Sequence, residues 1–296
     1  MKRALSVFLV LLGVTVLLLP FFVQDPRFSD FAHGVGPDGE PGAPSALHWL
    51  GTDRLFRDEL ARLVHAGRHS LAIGVGAGLL ATAIGTLVGI GSGFLEGAAL
   101  ALPWPRGQVD RRLRLHPDDL VVFLLDVVQS FPFLLLVLAA AAVFQRIDDL
   151  VTVGVLAGTS WLAVARIVRA KTIQLRQLDF VHAARALGRG NLGIAAHHIL
   201  PNVTGVLIAS ASLLASQMIV AESVLAYLGL GASPDVPSWG RMLSEGQDTM
   251  FTAPWLFVLP ACALVLTALA FQLLGLLPTG QNRQTGQTAP AEGDRP

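Results

Sequence analysis

Charge is scarce in this chain. Only 14% of its 296 residues are charged, against about 25% in an ordinary soluble domain. The formal net charge is zero, so no overall field draws it to nucleic acid. Lysine occurs only at Lys2 and Lys171, and neither follows the glycine loop of a G-x-x-x-x-G-K-[ST] phosphate cradle. No HExxH metal motif and no GxSxG nucleophile motif is present, which argues against a hydrolase of either kind. The single cysteine, Cys262, lies in an apolar run, so there is neither a disulfide framework nor a cysteine metal cluster. His197 and His198 are adjacent, roughly 100° apart on a helix, which is poor geometry for holding one metal ion. No repeat of fixed period runs through the sequence.

What fills the chain instead is apolar, 53% of it hydrophobic. Crossing a bilayer core of about 30 Å takes roughly 20 apolar residues in a helix. Six stretches meet that length: Ala4–Val23, Ser70–Leu95, Leu120–Phe144, Leu150–Val168, Val203–Leu225 and Ala253–Leu277. They are long and do not alternate, so they read as helices rather than barrel strands. The expected fold is an all-α polytopic membrane protein with six transmembrane helices. The first stretch follows Met-Lys-Arg as a signal peptide would. Its apolar part is longer than the usual 7–15 residues, however, and no small-x-small cleavage site follows, so it reads as an uncleaved anchor.

Arginine and lysine orient the bundle. With the N-terminus inside, fourteen basic residues face the cytoplasm: Lys2, Arg3, Arg106, Arg111, Arg112, Arg114, Arg166, Arg169, Lys171, Arg176, Arg185, Arg189, Arg283 and Arg295. Seven face out: Arg27, Arg54, Arg57, Arg62, Arg68, Arg146 and Arg241. Both termini are therefore expected in the cytoplasm. Three regions follow: an anchor helix with an external segment (1–69), a permease-like core (70–278) whose cytoplasmic loop spans 171–202, and a polar, disordered cytoplasmic tail (279–296). The external segment begins turn-rich and ends in a helical pattern from Asp53. The second external loop, from Tyr227 to Thr252, carries Pro234, Pro237 and Trp239.

Within the second stretch Gly74, Gly78, Gly85, Gly89 and Gly93 form four-residue pairs that let another helix approach closely. Spacing alone leaves open whether that helix belongs to this chain or to a second subunit. Asp126 and Glu222 are carboxylates inside apolar runs, with no lysine or histidine within a helix to answer them. Such groups face a bundle interior or a watery path, in a structural or gating role. Pro132 is expected to kink the third stretch near its middle.

Between Phe180 and Asn202 the chain reads FVHAARALGRGNLGIAAHHILPN. As a helix its first half places Phe180, Ala184, Leu187 and Gly188 on one face and Arg185 and Arg189 on another. Gly190 and Gly193 weaken the middle, Asn191 caps a second short helix, and Pro201 resets the chain into the next span. Two short helices that expose small residues and leucine mark a protein contact, or else a membrane-surface helix.

HAARALG (182–188), nine residues, then HILPN (198–202) resembles the cytoplasmic E-A-A…G…LP signature of permease subunits of binding-protein-dependent ABC importers. Residues 50–71, 124–138, 221–255 and 266–275 are similar to the dipeptide/oligopeptide/nickel branch of that family. The resemblance implies a coupling loop that contacts an ATPase through His182, Ala183, Ala184, Arg185, Leu187, Gly188 and Leu192, ending at Leu200 and Pro201. It also implies a second homologous permease subunit, two ATP-binding subunits and an extracytoplasmic solute-binding protein. All are gathered at the bilayer, with ATP and magnesium on the partner subunits and no cofactor, metal or catalytic residue here. Three positions depart from the pattern: His182 stands for the usual glutamate, Phe56 for a glycine, and LLPTG for the usual ending. A secondary transporter driven by an ion gradient is the competing reading, and it would show inverted repeats and midplane charges.

Overall fold

The computed structural model describes residues 13, 18–37, 39–96, 100–102, 113–115, 123, 126–143, 148–231 and 236–276. Most of the first apolar stretch, the head of the third, Arg111 and Arg112, Pro234 and the tail beyond residue 276 lie outside them.

The external segment leads into α1 (Glu59–Leu95), a single rod of 37 residues. Its start is set by Asp58, whose backbone is extended and whose carboxylate accepts from the Ala61 amide at 2.8 Å. The helical pattern expected from Asp53 therefore begins six residues later, at Glu59. Residues 53–57 instead form a turn around Asp53, which accepts from the amides of Leu55 (2.9 Å) and Arg57 (2.8 Å). Phe56 in that turn has φ +58°, the only positive φ outside glycine among the described residues. The left-handed region costs a side-chain-bearing residue ~1–2 kcal/mol, a conformation that glycine would adopt freely. The Phe56 ring offsets part of that by meeting Phe31 edge-on at 5.6 Å. Phe56→Gly should accordingly stay within about 1 kcal/mol of the parent, since relief of strain and loss of a ring pair nearly cancel. Phe56→Val, β-branched and ringless, should melt clearly lower than the glycine variant in a thermal scan of the purified protein. Equal melting of the two would refute this account.

Past Leu95 a two-stranded antiparallel ribbon pairs β1 (Leu100–Leu102) with β2 (Leu113–Leu115), a small amendment to the all-helical expectation. The third apolar stretch is broken rather than kinked. Residues 126–129 are helical, a turn follows at Ser130, and α2 (Phe133–Val143) begins just after Pro132. Pro132 lacks an N–H and disfavours helix at Phe131, while the Ser130 hydroxyl closes the turn onto the Val127 carbonyl at 2.6 Å.

α3 (Asp149–Arg176) is capped by Asp148, which accepts from the Val151 amide at 2.8 Å. α4 (Asp179–Ala186) and α5 (Asn191–Ile194) follow. Then come a π turn (Ala195–Ile199), α6 (Leu200–Tyr227), α7 (Trp239–Gln247) and α8 (Trp255–Leu276). Among the described residues four helices are long and apolar enough to cross a membrane: α1, α3, the continuous helix Asn191–Tyr227, and α8.

The glycines of α1 are notches for helices of this same chain. A Cβ on Gly85 would lie 2.6 Å from the Trp161 carbonyl oxygen, one on Gly89 2.6 Å from that of Ala165, and one on Gly93 2.7 Å from Thr172 Cβ. Lower residue numbers on α1 thus meet lower numbers on α3, and the two helices run parallel. Residues 126–136 run the other way, with Asp126 against Arg166 and the later Phe133 and Leu136 sharing a cleft with Thr159. Gly78 faces Ala215 (2.9 Å) and Gly74 faces Ile219, so α6 runs antiparallel to α1. α8 runs antiparallel to α6: Gly275 meets the Ala209 carbonyl, and the Ser216 hydroxyl donates to that of Ala268 at 2.8 Å. Leu156, Val164, Val168, Met218 and Leu225 fill the space between α3, α1 and α6.

Residues 227–252, expected as a loop, contain a helix. Ser238 caps α7, Trp239 is buried with its indole N–H donating to the Leu63 carbonyl at 3.1 Å, and Gly240 rests against the Ser223 backbone. α7 is thereby a lid across the ends of α1 and α6.

Candidate functional site

The segment 178–203 folds as two short helical pieces against the end of the bundle. α4 stops because Gly188 takes φ +81°, closing a Schellman turn: the Gly188 amide donates to Arg185 (2.9 Å) and the Arg189 amide to Ala184 (3.0 Å). No atom outside its own chain neighbours lies within 4 Å of where a Cβ would sit. The glycine is required by the backbone and not by crowding.

Val181, Ala184, Ile194, Ile199 and Val203 are buried together, with Ile90, Phe94 and Leu175 packed on them. This seats the segment on the ends of α1 and α3. The inward face of α4 is therefore Val181 and Ala184, while Phe180 and Leu187 of the expected contact face stay exposed. Leu187 and Leu192 are each 88% exposed, and His182, Ala183, Arg185, Leu200 and Pro201 are also at the surface. Phe180, Ala183, Ala184, Leu187, Gly188, Arg189 and His198 line a cleft of about 500 Å³, with the Phe180 and His198 rings 6.0 Å apart at one side.

Pro201 does not restart the chain as a separate helix. Asn191–Tyr227 is one continuous helix that widens at Ala195–Ile199. A proline cannot donate to the carbonyl four residues back, and its ring crowds that carbonyl. The widened turn relieves both problems. The Leu200 amide reaches back five residues to Ala195, and the Asn202 side chain donates to the His198 carbonyl at 2.7 Å beside the turn.

The two membrane carboxylates sit in different surroundings. Asp126 is paired with Arg166 on α3, and the pair is half exposed, 61% and 49% for the two side chains. The sequence reading looked for a lysine or histidine and passed over this arginine, 40 residues away. Glu222 is buried, with the Ser223 hydroxyl at 3.3 Å and Ser70, Ser238 and His69 around it. It lies where α1, α6 and α7 meet. Between the Asp126 piece, α3 and α6 opens a cleft of about 320 Å³ lined in part by Gln129, Thr159, Ser160 and Gln217.

A third polar group, at the α7 end of the bundle, was not singled out from the sequence. Asp53 and Arg62, each only 4% exposed, form an ion pair. Arg62 reaches on to Glu245 at 2.6 Å, and Arg57 holds Asp53 from the other side at 2.6 Å. Arg241 adds a bond to Glu245 at 3.0 Å. Burial works to raise the Glu245 carboxyl, but Arg62, Arg241 and Arg57 together outweigh burial and hold the group below the usual glutamate range. This network clamps the 53–57 turn and the head of α1 to α7. Its signal was the RDE-x-x-R spacing (57–62), which puts Arg62 one helical turn below the Asp58 cap.

Membrane-length helices notched together by glycine, a short-helix platform at one end and a lidded end opposite define a polytopic membrane protein of the transport-permease class. Residues 107–277 match the family model of the binding-protein-dependent transport system inner membrane component. Over 270 residues the chain is 37% identical to the oligopeptide transport system permease protein OppC of Escherichia coli (strain K12), covering 88% of this chain and 82% of that protein. It is 36% identical over 232 residues to the glutathione transport system permease protein GsiD of Pectobacterium atrosepticum, covering 78% and 71% respectively. A solved chain of the inward-facing MetNI methionine ABC transporter has the same fold, with a TM-score of 0.55 at 18% identity over 73% of this chain and 94% of that one. The chain belongs to the family of binding-protein-dependent transport system inner membrane components: it is a multi-pass inner-membrane permease subunit of an ATP-driven importer, not an enzyme in itself. Membership implies partnership with ATPase and binding-protein components.

Proposed function

We propose that this chain is half of a peptide translocation path. It pairs with a second homologous permease, two ATP-binding subunits that carry the ATP and magnesium, and an extracytoplasmic solute-binding protein. The peptide assignment rests on similarity to permeases named for oligopeptide and glutathione transport. In this reading six spans place both termini in the cytoplasm, residues 171–202 are the coupling loop, and 1–69 and 279–296 are the anchor region and the cytoplasmic tail. Asp126 is a gating candidate. Glu222, enclosed by hydroxyls, holds α6 to the α7 lid.

The observation that carries the coupling reading is the placement of Leu187 and Leu192. A rigid segment, anchored through Val181 and Ile194, presents two almost fully exposed leucines beside an open cleft. Leaving apolar side chains in water is unfavourable, and an ATPase groove is the cover that fits. His182, Ala183, Arg185 and Gly188 border the same surface. Ala184 supports it from beneath, and Leu200 and Pro201 carry its motion into α6. ATP-driven closure of the partner then moves this platform, and the permease pair exchanges inward- and outward-facing states.

Gly188→Val tests the coupling. The new side chain has room but not the backbone conformation, so the turn must shift at a cost of ~1–2 kcal/mol. Uptake per ATP hydrolysed should fall roughly 5–30-fold in proteoliposomes containing the whole assembly. A variant with parental uptake per ATP would sink the coupling assignment. Import of a mixed di- to pentapeptide pool by the parental assembly, dependent on ATP and binding protein, tests the peptide assignment. Uptake by the purified chain alone under an ion gradient would favour a secondary transporter.

A further inference from the structure

The membrane-depth face around Asp126 does not fit contact with lipid. Gln129 lies one helical turn from Asp126 on the same side of its helix. On α3, Thr159 and Arg166 stand seven residues apart, also on one side. Gln217 on α6 completes the 320 Å³ cleft that Gln129 and Thr159 line, with the Asp126–Arg166 pair outside its lining. The Gln129 and Gln217 carboxamides make no hydrogen bond among the described residues, and the Asp126–Arg166 pair is half exposed. In hydrocarbon each unsatisfied polar group costs several kcal/mol, and a charge costs more. Water, a polar solute or another protein must therefore cover this face.

Its shape favours the first two. The face is concave, whereas the notched small-residue faces suited to close helix contact are used within this chain, on α1 against α3 and α6. Its chemistry selects among solutes. Each carboxamide both donates and accepts, as a peptide bond does. The Thr159 hydroxyl donates to its own helix at 3.0 Å, which leaves its oxygen to accept. The seven-residue rise from Thr159 to Arg166 is roughly 10 Å, the reach of about three extended residues. At the far end the half-exposed Asp126–Arg166 pair can receive one peptide terminus, an ammonium at Asp126 or a carboxylate at Arg166, without the two having to part.

We infer that the face shared by Asp126, Gln129, Thr159, Arg166 and Gln217 is this chain's wall of the solute path, where its carboxamides and hydroxyl hydrogen-bond the main chain of an extended zwitterionic peptide and the Asp126–Arg166 pair closes the end toward α4. This deepens the permease reading above and rests on it.

The test uses the whole assembly in membrane vesicles, with Cys262 replaced by serine. Thr159→Cys and Gln217→Cys are each exposed to a charged, water-soluble methanethiosulfonate. Leu87→Cys, at a 74% exposed apolar position on α1, is the reference. The wall positions should react at least about tenfold faster than the reference, because the reagent stays out of hydrocarbon. Separately, Gln129→Leu combined with Gln217→Leu should lower uptake of the di- to pentapeptide pool, per ATP hydrolysed, roughly 5–30-fold, as expected for one or two lost hydrogen bonds. Two inert cysteines in an assembly that still imports would overturn the path, placing a sealed protein contact there. Reactive cysteines with parental uptake in the leucine pair would overturn main-chain recognition. Reactive cysteines in a parental assembly that imports no peptide would count against the peptide reading instead, and would overturn main-chain recognition with it.

Discussion

Gly89→Leu should yield little or no folded protein after solubilisation, while Gly76→Leu and Gly91→Leu should behave like the parent. All three lie on α1, all three add the same side chain, and all three trade a glycine for a better helix former. They differ only in what the new atoms meet. A Cβ at Gly89 would lie 2.6 Å from the Ala165 carbonyl oxygen and 2.8 Å from Val168 Cβ, whereas nothing stands within 4 Å at Gly76 or Gly91. Overpacking typically costs ~1–3 kcal/mol when side chains can yield. Here the obstacle is backbone, so α3 itself must move away from α1, and Val164 and Val168 lose their packing with it. Total stability of about 5–15 kcal/mol leaves little room for that. Size-exclusion yield of a fluorescently tagged chain and its melting temperature would check the contrast. A Gly89→Leu protein with parental yield and melting would mean that α1 and α3 do not pack as described.

Much of this bundle was legible in the sequence because membrane helices obey few rules, and the residues that deviate from them carry the information. Length and apolarity marked the helices. The five glycines marked a close-packed strip, although only coordinates could show that Gly74 and Gly78 serve α6 while Gly85, Gly89 and Gly93 serve α3. What could not be read was set by pairings between distant residues. Asp126 looked unanswered because Arg166 is 40 residues on, across a turn and a second helix. α7 looked like loop because Trp239 and Gly240 make sense only against Leu63 and Ser223. The widened turn before Pro201 and the left-handed Phe56 are backbone responses to one residue each. Here the sequence announced a disturbance, a proline after a helix and a phenylalanine where the family pattern has glycine, but not its form. On 180–188 an exposed contact face through Phe180 and Leu187 was legible, but the side that turns inward was not. Val181 and Phe180 are both apolar, and only the position of Ile194 and Ile199 beneath the helix decides which of them turns inward.

Arg62→Met should destabilise the α7 end of the bundle by ~3–5 kcal/mol, because it strands carboxylates that the arginine now answers. Asp53 would keep Arg57, and Glu245 would keep Arg241 at its half-exposed edge. Neither replaces a guanidinium that bridges both acids from inside. Glu59, 1% exposed with its Oε2 lacking a hydrogen-bond partner among the described residues, stands beside them and has no spare cation to offer. The expected result is a lower melting temperature and faster proteolysis within 53–57, with the glycine-notched bundle intact. Acid titration separates charge loss from lost packing. A carboxyl held below its ordinary value favours the folded state above that value, and this advantage fades as the pH falls through the depressed range. In the parent, the Glu245 contribution should be complete at neutral pH and decline on the acid side of 4.5, the ordinary glutamate value. With Arg62 gone, Glu245 keeps only the weaker pull of Arg241 and Arg57, so that part of the acid slope should become shallower. A double-mutant cycle of Arg62→Met with Glu245→Gln should return a coupling energy within ~0.5–3 kcal/mol. Additive losses, with the acid slope unchanged in Arg62→Met, would show that α7 is held by Trp239 and Gly240 alone and that the ion network only decorates the joint.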